Sequence, residues 1–310
     1  MRMGSAAITG AVACLVLSCT GPDAPGDGGA PSHGPQAGAV SPSERHAESP
    51  SQGSRSPGVF PTVPSAQPEA FAGELDRAVA TMRDQRSAPG ELRRAGEYQQ
   101  LAVRRLVSAS SAFRRAVLAR TGREVAADLS REVGAANSLA QLTAPQKHLP
   151  RWRIVTPPRI GQLRGYYAEA QRLTGVHWTY LAAINLVETR MGRIRGASPA
   201  GARGPMQFLP STWARYGAGG DINNPRDAIL ASARLLRANG APEDMAAALY
   251  RYNPSEHYVR AITQYARTMQ RAPYLYRGYW HWRVLYRDVR GLYLLPEGYP
   301  RVHPVLMEPR

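Results

Sequence analysis

Between Tyr180 and Met191 the chain reads YLAAINLVETRM, an apolar run with no Gly or Pro to break it and a single carboxylate, Glu188. At roughly 100° per residue, Leu181, Ile184, Val187 and Met191 fall on one arc of a helix, and Glu188 lies inside that arc. The carboxylate therefore faces the core side. Burial there disfavours the charged form and raises the pKa, the property a general acid needs to hold its proton near neutral pH.

The segments that follow give Glu188 a context. Downstream stand GPMQFLPSTW from Gly204, DINNPRDAI from Asp221 and LYRYN ending at Asn253. In this order, over about 161–266, the chain resembles the lysozyme-like catalytic domain of the soluble lytic transglycosylases of glycoside hydrolase family 23, which cut the glycan strands of peptidoglycan. That family's pattern runs from a catalytic Glu, usually followed by Ser, through a Ser before a Gly-Ala turn and a Gly-Leu-Met-Gln stretch, to Tyr-Asn. Here Glu188, Ser198, the stretch Gly204-Pro205-Met206-Gln207 and the pair Tyr252-Asn253 take those places. Thr189 stands where Ser is usual and Pro205 where Leu is usual; Thr keeps the hydroxyl, and the MQF followed by PSTW is similar to one subgroup.

The resemblance implies a mainly α, lysozyme-like (goose-type) helical catalytic domain with a groove between helices. It implies Glu188 as the catalytic acid and base, and substrate contacts from Ser198, Met206, Gln207, Tyr252 and Asn253. Each residue also has a plainer reading: Ser198 before Pro199 as a turn former, Asn253 as a helix end, Gln207 as a polar loop residue, Tyr252 and Tyr258 as packed rings. A glycosidase that works with two carboxylates needs a second one beside the acid. Asp227 and Glu243 read as helix starts, Asp221 as a turn residue, and neither they nor Asp244 is placed by a motif. The family manages with one carboxylate and leaves a 1,6-anhydromuramyl end. A lysozyme-type hydrolase and a catalytically idle wall-binding lipoprotein are the alternatives.

The balance of Lys and Arg over Asp and Glu, +16 in 310 residues, fits nucleic acid, a membrane surface or anionic wall polymers. Location chooses among them. Arg2, the apolar stretch Ala6–Leu17 and Val16-Leu17-Ser18-Cys19 resemble a lipoprotein export signal, with residues 1–18 removed and Cys19 carrying the lipid. The expected location is the cell envelope, with glycan strands of peptidoglycan, the membrane reached through the lipid, and other wall proteins as partners, and no nucleic acid. Cys14 and Cys19 are the two cysteines, so a chain beginning at Cys19 has no internal disulfide. His257, His281 and His303 lack neighbours at ligand spacing, so no metal and no cofactor is expected.

Residues 19–68 are rich in Gly, Pro, Ser and Ala and read as a disordered tether with a span on the order of 40 Å. Over 69–150 the pattern turns helical. A short helix near Leu75–Met82 precedes a long stripe of Leu92, Ala95, Tyr98, Ala102, Leu106, Ala109, Phe113 and Val117, and a second stripe runs from Val125 to Ala140. This reads as a long helical hairpin that packs on the catalytic part, docks a partner or binds wall polymer. Residues 151–310 form the catalytic part, mainly helical and without strand-like alternation up to about 270, with a Tyr- and Trp-rich, β-patterned extension from about 272 read as a cap on the groove.

Overall fold

Pro68, Pro89, Pro210 and Pro225 each stand at the first position of a helix, where the missing N–H leaves no intrahelical bond unmade. The computed structural model describes residues 63–142, 144 and 146–309. The leader, Cys19 and nearly all of the tether lie outside these residues. The helices are α1 (Pro68–Arg83), α2 (Pro89–Ser108), α3 (Ser111–Arg120), α4 (Arg123–Ala140), α5 (Ile160–Thr174), α6 (Trp178–Thr189), α7 (Pro210–Tyr216), α8 (Pro225–Ala238), α9 (Met245–Tyr252), α10 (Glu256–Arg271) and α11 (Leu275–Trp280). The strands are β1 (Arg153–Ile154), β2 (Ile194–Arg195), β3 (Val284–Asp288), β4 (Gly291–Leu295) and β5 (Val305–Pro309). The protein is mainly helical, consistent with a lysozyme-like helical domain.

The expected hairpin is interrupted. The stripe from Leu92 to Val117 is not one helix, because the Ser110 hydroxyl accepts from the Phe113 N–H (3.2 Å) and starts α3 afresh after α2 has ended. A serine offers the backbone this local bond as an alternative to continuing the helix. Its apolar residues still line up: Phe71 of α1 meets Phe113 of α3 edge to face at 5.8 Å.

Helix α6 is enclosed more completely than one apolar arc requires. Every residue but Tyr180 is buried, including Ala182, Ala183 and Asn185 on the faces away from the Leu181–Val187 arc. A helix buried all round must sit at the centre, and small residues let neighbours close on it. Helix α10 lies between α6 and α4, burying Tyr258, Ile262, Tyr265 and Met269 at helical spacing. One continuous core thus runs from Phe71 in α1 to Trp282 after α11. Backbones touch where α2 meets α11: a Cβ on Gly96 would lie 2.6 Å from the Gly278 carbonyl oxygen.

Strands appear both in the part read as lacking them and in the β-patterned tail. β1 pairs antiparallel with β2, Arg153 opposite Arg195 and Ile154 opposite Ile194, a ribbon too short to show alternation in sequence. The tail forms the antiparallel sheet β3-β4-β5. Val284, Tyr286 and Leu295 of this sheet pack with Trp152, Ile154 and Ile194 in a second small core behind the ribbon. Among the described residues, no helix is long and apolar enough to cross a membrane.

A buried polar cluster joins the early helices to the late ones. Glu132 of α4 accepts from the Tyr279 hydroxyl (2.6 Å) and from the Gln99 amide, while the Trp282 indole donates to Gln99 Oε1 (3.3 Å). Burial, opposed by the Tyr279 hydrogen bond, pushes the Glu132 carboxyl up to about 8 from its ordinary 4.5. Between those values the folded state holds a proton the unfolded chain has released, so this group's contribution to stability is full below 4.5 and is lost as pH rises through 8. Replacing Glu132 with Gln should flatten the fall in melting temperature between about pH 5 and pH 8. Parallel melting curves for the two proteins would remove Glu132 as the source.

Candidate active site

Glu188 projects from the last turn of α6 and is 2% exposed. Its Oε1 accepts a hydrogen bond from the Tyr258 hydroxyl at 2.8 Å. Tyr258 stands in the first turn of α10, whose start is fixed by Ser255 accepting from the Tyr258 N–H. Burial first, and then the charge of Glu188, hold the Tyr258 phenol well above its ordinary pKa, so it stays protonated and donates. The Tyr252 ring stacks on Tyr258, centroids 6.2 Å apart and planes 7° from parallel. The Tyr252 hydroxyl donates to the Met206 carbonyl (2.6 Å) and shares a 3.2 Å hydrogen bond with Ser232 of α8. A chain of contacts therefore leads from the carboxyl through two tyrosines to the turn that carries Gln207.

That turn is a tight hairpin closed by Arg203 and Phe208, which exchange two backbone hydrogen bonds of 2.8 Å. Gly204 has φ +74°, and a Cβ there would lie 1.9 Å from the Ile222 carbonyl oxygen, so only glycine fits. Gln207 itself is left-handed at φ 50°. Its amide nitrogen donates to the carbonyls of Gly204 (2.9 Å) and Gly196 (3.4 Å), tying the turn to the loop after β2.

The turn is fastened to α6 through one oxygen. The Pro205 carbonyl accepts from the Thr189 hydroxyl (2.6 Å) and from the Asn185 amide (2.9 Å), and Asn185 Oδ1 in turn accepts from the Tyr167 hydroxyl of α5 (2.7 Å). Thr189 Oγ1 also accepts from the Gly192 N–H (3.1 Å). It thereby holds a sharp exit in which Arg190, Met191 and Gly192 all have positive φ. Two non-glycine residues in that region cost about 1–2 kcal/mol each. Backbone bonds from Arg190 N to Leu186 O and from Met191 N to Asn185 O compensate. Arg190 is buried with its guanidinium 5.3 Å from the Trp282 ring centre, and burial lowers its pKa to about 10.

The other anticipated residues are placed as follows. The Met206 side chain is fully buried in the core, and its contribution to the site is its carbonyl. Ser198 is 6% exposed and closes its own turn, its hydroxyl accepting from the Ala202 N–H (3.1 Å). Asn253 is 4% exposed and ends α9 with its N–H on the Leu249 carbonyl. Tyr252, partly buried, belongs to the tyrosine stack just described. Trp213 is half-buried, with its ring edge against Phe208. The four carboxylates considered as a second acid or base have structural employment: Asp227 accepts from the Asp221 N–H, Asp221 from the Asn223 N–H, Glu243 pairs with Arg237, and Asp244 caps α9. Among the described residues no group of His, Cys, Asp and Glu side chains is assembled that could hold a metal.

Periodicity alone did not assign Tyr258, Asn185 and Thr189 their roles. A signal was present for Tyr258: a phenol on the apolar face of α10 needs a buried partner, and Glu188 is the acceptor that the apolar face of α6 supplies.

No family model matches the chain, and no solved structure matches it. Over 154 residues it is 32% identical to a membrane-bound lytic murein transglycosylase F from Thiobacillus denitrificans (strain ATCC 25259 / T1), an alignment that takes in 44% of this chain and 32% of that protein. The chain thus spans about a third of the length of this curated relative.

The fastening at Pro205 makes a stability prediction. Thr189→Val keeps the shape but leaves the Pro205 carbonyl one donor short and the Gly192 N–H without its acceptor, which should cost about 1–3 kcal/mol. Thr189→Ser, which restores the hydroxyl, should recover most of that loss in denaturant unfolding. Equal loss in both variants would show that the hydroxyl's hydrogen bonds are not what fastens the turn.

Proposed function

We propose that the chain is a peptidoglycan lytic transglycosylase in which Glu188 is the general acid and then the base. The observation that carries this reading is the buried Glu188 carboxyl held by Tyr258, linked through Tyr252 to the Gly-Pro-Met-Gln turn. The partial identity with a lytic murein transglycosylase supports it. In the proposed reaction Glu188 gives its proton to the bridging oxygen as the bond from the muramyl C1 to that oxygen breaks. The substrate's acetamido group stabilises the cation that develops. The C6 oxygen then closes on C1 and its proton passes to Glu188, so the carboxyl is regenerated, a 1,6-anhydro sugar is left and no water is consumed.

Tyr258 serves this cycle by holding the carboxyl in one orientation between the two proton transfers. The structural employment of Asp221, Asp227, Glu243 and Asp244 favours a one-carboxylate route over a hydrolase that activates water with a second carboxylate. Residues 151–310 carry the cleavage unit, braced by the helices of 69–150 through the shared core. Residues 1–18 are the export leader, Cys19 the lipid-bearing residue and 20–68 the tether that places the enzyme in the wall above the membrane.

Peptidoglycan digested by the wild-type chain should yield muropeptides one water lighter than hydrolytic products and inert to borohydride, because no reducing end is formed. Glu188→Gln should lower turnover by roughly 10²-fold or more with the fold retained. Reducible, full-mass products would replace the transglycosylase reading with a lysozyme-type one, and wild-type turnover in the variant would remove Glu188 from the chemistry.

The anchor is tested separately. Cys19→Ser should shift the protein from the membrane to the soluble fraction, since a lipid on this residue is the proposed attachment. A membrane fraction unchanged after alkaline washing would place the attachment elsewhere.

A further inference from the structure

A groove of about 830 Å³ runs along the β1–β2 ribbon beside the Gln207 turn, and Arg151, Arg153, Arg195 and Arg203 line it. Two of its other lining residues, Gly196 and Gly204, supply the carbonyls that hold the Gln207 amide, so groove and turn share a wall. Among the described residues, no carboxylate lines the groove. Among the described residues none of these four arginines makes an ion pair, whereas arginines elsewhere do, Arg226 with Glu169 and Arg271 with Asp128 among them.

The register sharpens the anomaly. Arg153 and Arg195 are directly opposed across the ribbon, an arrangement in which like charges destabilise pairing. Arg195 registers the strain: burial first, and then Arg153, lower its pKa, against a smaller opposite pull from Asp221. Its Nη1 is spent on the Asn223 carbonyl (3.0 Å). Such a pair is relieved by an anion lying between the two guanidinium groups, and carboxylates suit their planar fork.

We propose that this groove binds the carboxylates of the short peptides carried by the glycan, making peptide-bearing strands the preferred substrate. The inference rests on the transglycosylase reading for its substrate. Peptides are favoured over free anionic polymer because the groove continues from the turn holding Gln207. A strand passing that turn presents its own side chains there, and tethering raises their local concentration.

The test compares the full chain with its Arg153→Gln/Arg195→Gln double variant on two substrates: peptide-bearing glycan and the same glycan stripped of peptides by an amidase. KM on peptide-bearing glycan should rise about tenfold with kcat unchanged, while kinetics on stripped glycan stay as in the wild type. The melting temperature should stay close to that of the wild type, because relief of the repulsive pair offsets loss of the Arg195–Asn223 hydrogen bond. Direct titration of the released peptides, of inorganic phosphate and of a polyglycerol phosphate into both proteins reads binding without turnover. Peptide binding by the wild type and its loss in the variant would support the assignment even if neither substrate were cleaved, so failure of the reaction and failure of the groove are separable. Equal losses on both substrates, no loss on either, or binding of phosphate polymer but not of peptide would overturn it.

Discussion

The Pro205 carbonyl oxygen is the acceptor on which the arrangement around Glu188 depends. It faces an enclosed helix, where water cannot replace a missing partner, and it takes hydrogen bonds from both Thr189 and Asn185. A buried polar group left alone costs about 1–3 kcal/mol, so the turn and α6 are bound to one relative position. Asn185 is steadied from the other side by Tyr167, which adds α5 to the same assembly. The turn then presents the Met206 carbonyl to Tyr252, whose ring lies on Tyr258, whose hydroxyl reaches Glu188. The carboxyl is positioned at both ends, by the helix that bears it and by the turn packed against that helix.

Much of this was legible in the sequence where the governing signal is local. Pro210, Gly175 and the Asn253-Pro254 step mark helix limits through backbone constraints carried by single residues, and the helices begin and end beside them. Glu188 on an apolar arc is likewise a local pattern, and the side chain is buried. The break at Ser110 was less visible because the apolar stripe carries straight through it, and one serine hydroxyl decides the matter. The ribbon was invisible for another reason: two residues per strand contain no alternation, and their partners lie far apart in the chain. The tail's β pattern was readable, but its position was not. It backs the ribbon with Tyr286 and Val284 and contributes no residue to the lining of the arginine groove.

The helices of 69–150 had no chemistry written in their sequence, and their packing gives them a mechanical place. Tyr258 and Tyr265 lie on the same helix, one against Glu188 and the other within 5.6 Å of the Tyr279 ring centre. Tyr279 bonds Glu132 of α4. Helix α10 is therefore held between the helix that carries the carboxyl and the early helices, and its rotation about its own axis is fixed from both sides. Gln99 and Trp282 complete the polar cluster, so the specificity of this contact comes from directed bonds as well as from apolar area.

The ribbon links two properties usually set apart. Its side chains alternate, Ile154 and Ile194 toward the small core and Arg153 and Arg195 away from it. Sliding one strand by a single residue would turn that strand's arginine toward Trp152 and Tyr286 and its isoleucine toward water. The electrostatic character of the groove and the seating of the tail are thus one topological choice, and a sequence change that loosens either core isoleucine erodes the charge pattern without touching an arginine.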